Sequence, residues 1–127
     1  MTITTKTLMA IIFITFSQLT FAQTNEEKAY EKGMKAIELM DNGKIEASIE
    51  LLEEAQKLDP DRFDYPYELA YAHYLKKDYK GAIKILEKVE KHKDVTAQLF
   101  QLLGNSYDMI GKPEDAIEMY EKGVKKF

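Results

Sequence analysis

Apolar residues recur three and four positions apart along most of the chain after residue 28, which is the spacing that gathers them on one face of an α-helix. No segment alternates between apolar and polar residues for long enough to predict a β-strand. Glycine, asparagine, aspartate and proline interrupt the helical pattern at intervals. The pattern therefore predicts an all-α fold of six helices, which begin near residues 28, 44, 61–66, 79, 94 and 113.

One stretch of this pattern occurs three times at a fixed distance. Ile49, Ile83 and Ile117 lie 34 residues apart, and a small residue precedes each of them. The repeated stretch occupies residues 43–49, 77–83 and 111–117. Recurrence at one period over two intervals indicates a repeat protein, in which similar helical units stack on one another.

The 34-residue period and the residues inside each unit resemble the tetratricopeptide repeat. The Leu-Gly-x-x-Tyr pattern of that family appears as Leu103-Gly104-Asn105-Ser106-Tyr107, and a weaker copy is Leu69-Ala70-Tyr71-Ala72-His73. The closing Leu-Asp-Pro of the family is present once, at residues 58–60. The resemblance implies an α-α superhelix of three helix-turn-helix hairpins over residues 29–127, with repeats at about 29–62, 63–96 and 97–127.

The first 22 residues differ in kind from the rest of the chain. One charge, Lys6, precedes the apolar run from Leu8 to Phe16, and the small-residue exit Thr20-Phe21-Ala22 follows. This order is typical of a secretory signal peptide, so we predict cleavage after Ala22 and export to the periplasm or the exterior. The alternative is a membrane anchor. No stable anchor is expected, because polar residues end the apolar run well short of the roughly 20 residues that a spanning helix needs.

Composition limits what the chain can do. Its 127 residues are 45% apolar and 31% charged, which fits one ordinary globular domain, and the polar residues 23–28 are expected to form a disordered lead before it. The absence of cysteine excludes disulfides, zinc-thiolate sites and cysteine nucleophiles. A chain with a formal net charge of −4 lacks the basic face that nucleic-acid binding requires, so no nucleic-acid partner is predicted.

Chemical motifs point away from catalysis. The chain has no glycine-rich phosphate loop, no nucleophile elbow and no pair of carboxylates framed by apolar residues. Its two histidines, His73 and His92, would need to meet with a further ligand to hold a metal, and a packing role is the simpler interpretation. We therefore predict a protein that is not an enzyme and has no catalytic residues, metal site or cofactor.

The candidate binding site is the concave face that the resemblance implies. Tyr67, Tyr71 and Tyr74 form a stripe on one side of the third helix. The expected groove residues are Tyr30, Ile37, Met40, Tyr67, Tyr71, Tyr74, Gln101, Asn105 and Asp108. One interpretation is a peptide groove with aromatic walls, and the other is that the tyrosines cover seams between helices. Replacing Tyr71 and Tyr74 by alanine would distinguish them, because loss of binding by a folded protein supports the groove and unfolding supports the seam.

The charges near this face indicate the chemistry of its ligand. The acidic residues nearby are Asp41, Asp64, Asp78 and Asp108. They favour a protein or peptide with basic residues, and the tyrosines favour apolar or aromatic ones. One subgroup of the family grips a C-terminal carboxylate with lysines and asparagines, but Gly33 and Ile37 stand at the clamp positions of the first repeat. We therefore predict a non-catalytic protein-binding or peptide-binding scaffold whose ligand is not dominated by carboxylates or phosphates.

The end of the chain is the second candidate surface. The last helix carries Tyr120 and Val124 on the side where Ala116 and Ile117 are expected to pack, and the chain reaches Phe127 with no further helix. Members of the family usually place a polar capping helix there, because the last hairpin otherwise exposes an apolar edge. Tyr120, Val124 and Phe127 are therefore a candidate edge for self-association into a homo-oligomer. The alternative is that these repeats are the N-terminal assembly module of a longer envelope protein or enzyme.

Overall fold

A computed structural model describes residues 23–127, so the predicted signal peptide and its cleavage after Ala22 lie outside the described residues. The helices are α1 (Asn25–Asp41), α2 (Ile45–Leu58), α3 (Asp64–Leu75), α4 (Tyr79–Val89), α5 (Ala97–Met109) and α6 (Pro113–Lys126). Residues 23–127 contain no β-strand, which confirms the predicted all-α fold. Within the same range no helix is both long and apolar enough to cross a membrane.

Neighbouring helices pair in order along the chain. α1 packs on α2, α3 on α4 and α5 on α6, while α2 also contacts α3 and α4 contacts α5. In addition α1 contacts α3 and α3 contacts α5, so the first helices of the three hairpins line up side by side. This order of contacts is that of three stacked helix-turn-helix hairpins in a superhelix, as the 34-residue period predicts.

The turn inside each hairpin is the same structure three times. Gly43, Lys77 and Gly111 lie 34 residues apart and have positive φ angles of 76°, 67° and 76°. In each turn this residue donates its amide to the carbonyl three residues earlier at 2.9–3.0 Å, and the next amide reaches the carbonyl five residues earlier at 2.8–3.0 Å. These bonds satisfy the last carbonyls of the helix. Lys77 adopts this left-handed conformation at a steric cost that glycine does not have.

The first helix begins earlier than the apolar pattern predicts. Thr24 Oγ1 accepts a hydrogen bond from the amide of Glu27 at 3.1 Å, and Glu27 Oε2 accepts one from the amide of Thr24 at 2.9 Å. This reciprocal pair is a capping box, which satisfies amides that the start of a helix leaves without partners. Residues 25–28 therefore form the first turn of α1, and the prediction that they belong to a disordered lead over residues 23–28 is wrong.

A second cap fixes the start of α4. Asp78 Oδ1 accepts a hydrogen bond from the amide of Gly81 at 3.0 Å, and Asp78 Oδ2 lies 2.8 Å from Nδ1 of His73 on α3. Both contacts, the histidine first, lower the pKa of the Asp78 carboxyl. A methyl group on Gly81 would collide with this carboxylate, so the close approach requires glycine. His73 thus ties the end of one helix to the start of the next.

The core lies in two layers between successive hairpins. The layer between the first and second hairpins consists of Ala29, Ala36, Met40, Ile49, Leu52, Ala55, Tyr65, Leu69 and Ala72. The layer between the second and third consists of Phe63, Ala70, Ala82, Ile83, Leu86, Val95, Leu99, Phe100, Leu102, Leu103 and Met119. Leu52 and Leu86 lie one period apart, and both are fully buried. Each hairpin thus buries its apolar face against its neighbour, as expected of stacked repeats.

The outer face of α1 differs from the corresponding faces of α3 and α5. Glu31, Lys35 and Glu38 are exposed, whereas the residues one and two periods later are buried. Those buried residues are Tyr65, Leu69, Ala72, Leu99, Leu103 and Ser106. The charges keep the outer face of α1 in water, so among residues 23–127 the first hairpin is the polar end of the stack.

The outer face of α6, at the other end, is apolar and exposed. Ile117 is 56% exposed, although its equivalent Ile83 is 8% exposed beneath the next hairpin. Tyr120 is 37% exposed and takes the place of the fully buried Leu86. Within residues 23–127 no helix packs beyond α6, which leaves these positions uncovered.

The inward face of α6 also differs from the predicted one. The buried residues of this helix are Ala116, Met119 and Gly123. Val124 is 82% exposed, so the prediction that Ile117 and Val124 pack inward is wrong. A methyl group on Gly123 would lie 3.1 Å from Cβ of Phe100, which shows that α6 and α5 approach closely at this point.

Candidate functional site

The predicted groove face is built from α1, α3 and α5, which lie side by side. Tyr30 on α1 is exposed, and the guanidinium carbon of Arg62 lies 5.8 Å from its ring centre. Ile37 is half-buried and lines the same small cavity as Tyr30. Met40 is 7% exposed and belongs to the core, so the prediction that it contributes to the groove is wrong.

The tyrosine stripe on α3 divides between the two roles predicted for it. Tyr67 is half-buried and stacks on Phe63 with ring centres 6.0 Å apart, and burial raises the pKa of its hydroxyl. Tyr74 is half-buried against Tyr79 in an edge-to-face pair at 5.3 Å. Tyr71 lies between them and is 39% exposed. Tyr67 and Tyr74 therefore support helix packing, and Tyr71 is the member of the stripe with an exposed side chain.

The polar residues predicted for the far end of the groove lie on α5. Gln101 and Asp108 are exposed, and Asn105 between them is half-buried. Oδ1 of Asn105 accepts a hydrogen bond from the hydroxyl of Tyr120 at 2.8 Å. Tyr120 belongs to the edge predicted for self-association, so the structure brings the two predicted sites together.

A cavity of about 620 Å³ lies at this meeting point between α5 and α6. Its lining residues are Ala97, Phe100, Gln101, Asn105, Tyr120, Gly123, Val124 and Phe127. They include members of both the predicted groove and the predicted edge. Ligand sites in proteins usually have volumes of roughly 300–1,000 Å³, so this cavity has room for a substantial ligand group.

Phe100 is a residue of this cavity that sequence reasoning missed. Its side chain is buried, and its ring centre lies 6.3 Å from that of Phe127. Nζ of Lys126 lies 5.8 Å from the centres of both rings, a distance at which an ammonium is attracted to an aromatic face. One period earlier the chain has Pro66, so the repeat pattern gives no signal of an aromatic ring here.

The backbone of Gly104 makes room for Tyr120. A methyl group at Gly104 would collide with the Tyr120 ring. In the other two hairpins the corresponding pairs are Ala36 with Leu52 and Ala70 with Leu86. The third hairpin therefore combines a smaller residue on α5 with a larger, aromatic residue on α6, whose hydroxyl reaches Asn105.

A second, smaller cavity of about 140 Å³ lies between α1 and α3 on the predicted groove face. Its lining residues are Tyr30, Gly33, Met34, Ile37, Leu52, Arg62, Asp64, Tyr65 and Glu68. Two of these belong to the predicted groove, but Tyr65 and Glu68 were missed. The sequence contained a signal for Glu68. It is a charged residue at a position where the repeats before and after it have apolar residues, Met34 and Leu102.

The two histidines make contacts within the structure. His73 faces Asp78, and Nε2 of His92 lies 2.9 Å from the backbone oxygen of Asp61. The His92 ring also packs on Phe63 with ring centres 5.6 Å apart. Within residues 23–127 no three metal-ligating side chains come together. Packing and capping account for the positions of both histidines.

Two sequence models of the tetratricopeptide repeat match the chain, one over residues 34–94 and the other over residues 97–125. Together the matched residues include parts of all three hairpins. The chain belongs to the tetratricopeptide repeat family. Tetratricopeptide repeat proteins are typically non-catalytic scaffolds for protein interaction. No curated protein matches the sequence significantly.

Solved structures of tetratricopeptide repeat proteins share this fold. The crystal structure of MamA has a TM-score of 0.73 at 21% identity, over 78% of this chain and 58% of the MamA chain. The second tetratricopeptide domain of Spaghetti (RPAP3), solved with the HSP90 peptide SRMEEVD bound, has a TM-score of 0.73 at 20% identity. That match covers 79% of this chain and 93% of the RPAP3 chain. At these identities the likeness establishes the superhelical fold, and this chain spans little more than half the length of MamA.

Proposed function

We propose that this tetratricopeptide repeat chain is a non-catalytic scaffold that binds a protein or peptide segment along the face formed by α1, α3 and α5. The observation that carries the proposal is the exposure of Tyr30 and Tyr71 on helices that lie side by side. Tyrosine gives a large contact area at a low cost in conformational entropy, which is why it is frequent in binding surfaces. One cavity lies between α1 and α3, and the other lies beside α5.

The peptide complex of the RPAP3 domain supports this proposal, because that domain has the same fold and was solved with a peptide bound. The expected ligand here has a different charge. Asp64 and Asp108 are exposed on the proposed face, and the whole chain has a formal net charge of −4. Like charges across an interface are unfavourable, so the expected partner carries basic residues beside apolar or aromatic ones.

A peptide selection tests this proposal. Peptides selected from a random library on the immobilised protein are titrated into the wild type and into Tyr71→Ala. Because Tyr71 is partly exposed, we expect the substitution to weaken binding about tenfold and to lower the urea unfolding midpoint only slightly. The matched control is Ile117→Ala, which truncates an exposed apolar residue outside the proposed face. Equal binding by the wild type and Tyr71→Ala, or a selection that yields no binders, would reject the proposed face.

The exposed end of α6 favours a second function, which is self-association through the last hairpin. Ile117 and Tyr120 are exposed at positions that the inner hairpins bury. Val124 and Phe127 extend the same apolar stripe at helical spacing, and both are exposed. Contiguous apolar surface of this kind is typical of protein-protein contacts.

Light scattering over a wide concentration range tests the second function. We expect the average mass of the wild type to rise with concentration, and the double variant Val124→Ser, Phe127→Ser to stay monomeric. Met34→Ser removes an exposed apolar side chain from α1 and should associate like the wild type. A wild-type mass that stays at one chain throughout would reject self-association.

We also propose that the protein is exported, on the support of the signal-peptide pattern in residues 1–22. The intact mass of the protein recovered from its native source tests this. A mass equal to that of residues 23–127 is the expected result. The mass of the uncleaved chain would reject cleavage, and a much larger mass would show that these repeats belong to a longer protein.

A further inference from the structure

The cavity between α1 and α3 has the size of one side chain. Its volume is about 140 Å³. A cavity of roughly 150 Å³ holds a molecule the size of benzene, whereas sites for drug-sized ligands begin at about 300 Å³. Tyr30, Met34 and Ile37 of α1 supply apolar surface to its lining. The cavity therefore suits a single side chain with an apolar stem.

The α3 side of the cavity contains two polar groups that lack protein partners. The side chain of Tyr65 is buried, and its ring lies so close to Gly33 that a methyl group there would be 2.8 Å from Cε1. Among residues 23–127 the Tyr65 hydroxyl finds no hydrogen-bond partner. Glu68 is half-buried, and no hydrogen bond or ion pair in the described part of the chain holds its carboxylate. Buried polar groups are normally paired, so a ligand donor that reaches this side of the cavity would satisfy both groups.

The charge around Glu68 is unbalanced. Burial first, and then the nearby Asp64 and Asp41, raise the pKa of the Glu68 carboxyl. The cation in the lining is Arg62, but its Nε lies 2.8 Å from Asp64 Oδ2 and is paired there. A half-buried carboxylate among other acids becomes more stable when a ligand brings a cation.

Glu68 also departs from the pattern of the repeat. The corresponding residue is Met34 in the first hairpin and Leu102 in the third, and Leu102 is buried in the core. An apolar residue at this position would pack without a desolvated charge. Positions that break the local rules of a fold are often functional, which supports a ligand-binding role for Glu68.

We propose that this cavity binds the side chain of one lysine of the bound peptide, with its methylene groups against Tyr30, Met34 and Ile37 and its ammonium on Glu68 and Tyr65. The inference rests on the proposed function, because the lysine belongs to the segment that the scaffold holds. An ammonium concentrates three donors on one atom, which a carboxylate and a hydroxyl can accept. The planar guanidinium of arginine has five donors, and the two unpaired groups of this cavity would leave several of them without partners.

An NMR titration with a small probe tests the lysine pocket. Nα-acetyl-lysine amide is titrated into the ¹⁵N-labelled full chain, and the norleucine and arginine amides serve as comparisons. We expect saturable shifts at the amides of Gly33, Ile37 and Glu68 with the lysine probe. The norleucine probe lacks the ammonium and should bind about tenfold more weakly or worse.

Matched variants locate the charge that the probe recognises. Glu68→Gln keeps the shape of the side chain and should lower the affinity for the lysine probe about tenfold. Tyr65→Phe removes the hydroxyl and should lower the affinity by a smaller factor. Glu50→Gln removes an exposed acid from α2 that does not line the cavity, and should leave the affinity unchanged.

Four results would each overturn the lysine pocket: no saturable shift at these amides, equal binding of the lysine and norleucine probes, tighter binding of the arginine probe, or unchanged affinity in Glu68→Gln. The scaffold proposal has a separate readout in the selected peptides. Peptides that depend on Tyr71 but contain no lysine would support the scaffold proposal and reject the lysine pocket. If the selection yields no binders and the lysine probe does not bind, both the scaffold proposal and the lysine pocket are rejected.

Discussion

The hydroxyl of Tyr120 donates a hydrogen bond to Oδ1 of Asn105 at 2.8 Å and so links α6 to α5 at the exposed end of the stack. Burial and the nearby Asp108 raise the pKa of Tyr120, so the phenol stays protonated and able to donate at neutral pH. The bond holds the ring over Gly104 and beside the large cavity. The predicted groove and the predicted self-association edge therefore both contribute residues to the lining of this cavity.

Replacing Gly104 by alanine should lower the free energy of unfolding by about 1–2 kcal/mol, because the added methyl group displaces the Tyr120 ring and breaks its hydrogen bond. Helix propensity alone would favour alanine by up to about 1 kcal/mol, so the sign of the change reports the steric conflict. Urea unfolding measures this difference.

A double variant provides the control for this contact. Gly104→Ala with Tyr120→Leu restores the pair that the second hairpin has, Ala70 with Leu86. We expect the double variant to recover most of the stability that Gly104→Ala loses. Simple addition of the two single effects would show that the ring does not conflict with the methyl group.

Lys77→Gly should stabilise the protein by about 0.5–1 kcal/mol. Lys77 has a φ of 67° at the position where the other two hairpins have Gly43 and Gly111, and glycine adopts this conformation without a clash. Thermal or urea unfolding measures the gain. The matched control is Lys80→Gly in the first turn of α4, which should destabilise by up to about 1 kcal/mol. A loss of stability in Lys77→Gly would contradict the interpretation that Lys77 is strained by its left-handed backbone conformation.

Asp78→Ala should lower the free energy of unfolding by about 1 kcal/mol at neutral pH, because it removes the cap of α4 and the partner of His73. The folded state lowers the pKa of Asp78 below 3.8, so the folded protein binds this proton less tightly than the unfolded chain. The stabilising contribution is therefore present above about pH 4 and is lost as the pH falls through the folded-state pKa.

Urea unfolding at a series of pH values checks this dependence. The difference between the wild type and Asp78→Ala should shrink on acidification. Glu53→Ala changes an exposed acid in the middle of α2 that caps no helix, and it should have little effect at any pH. A difference for Asp78→Ala that persists unchanged to about pH 2 would show that its carboxylate charge is not involved.

Glu68→Gln should raise the free energy of unfolding by about 0.5–1 kcal/mol at neutral pH, because it removes a half-buried charge near Asp41 and Asp64. The folded state raises the pKa of Glu68 above 4.5, so the folded protein binds this proton more tightly than the unfolded chain. Protonation of this carboxyl therefore stabilises the folded protein. The stabilisation is complete below the unfolded-state pKa and is lost as the pH rises through the folded-state pKa.

The same pH series measures the effect of Glu68. The advantage of Glu68→Gln over the wild type should be largest at neutral pH and should shrink on acidification, as the carboxyl becomes protonated. Glu50→Gln, on an exposed face, should show no such trend. A variant less stable than the wild type at neutral pH would mean that the Glu68 carboxylate is stabilised in the free protein.

Much of the fold follows from local rules that the sequence displays. Gly43 and Gly111, like Ala36 and Ala70, recur at the period of the repeat, so the number of helices, the turns and the stacking order could be predicted. The early start of α1 also follows a local rule. Its capping box at Thr24 was missed because the spacing of apolar residues does not detect it.

The candidate site was less predictable, because it depends on which helix covers which face. Ile117 has the same residue type as Ile83, and it differs in exposure because no described helix packs on it. Met40 follows the spacing of the groove residues but faces the core. The cavity beside Tyr65 and Glu68 depends on the volume left between two crossing helices, which no spacing rule provides.

The contrast between the two ends of the stack limits how copies of this chain can combine. A copy can contribute the apolar face of α6 to a contact, but its α1 presents Glu31, Lys35 and Glu38 where a docking helix needs apolar residues. Two copies joined through α6 would turn only charged α1 faces outward. The outer face of α1 therefore gives such a twofold pair no apolar surface on which a third copy could stack.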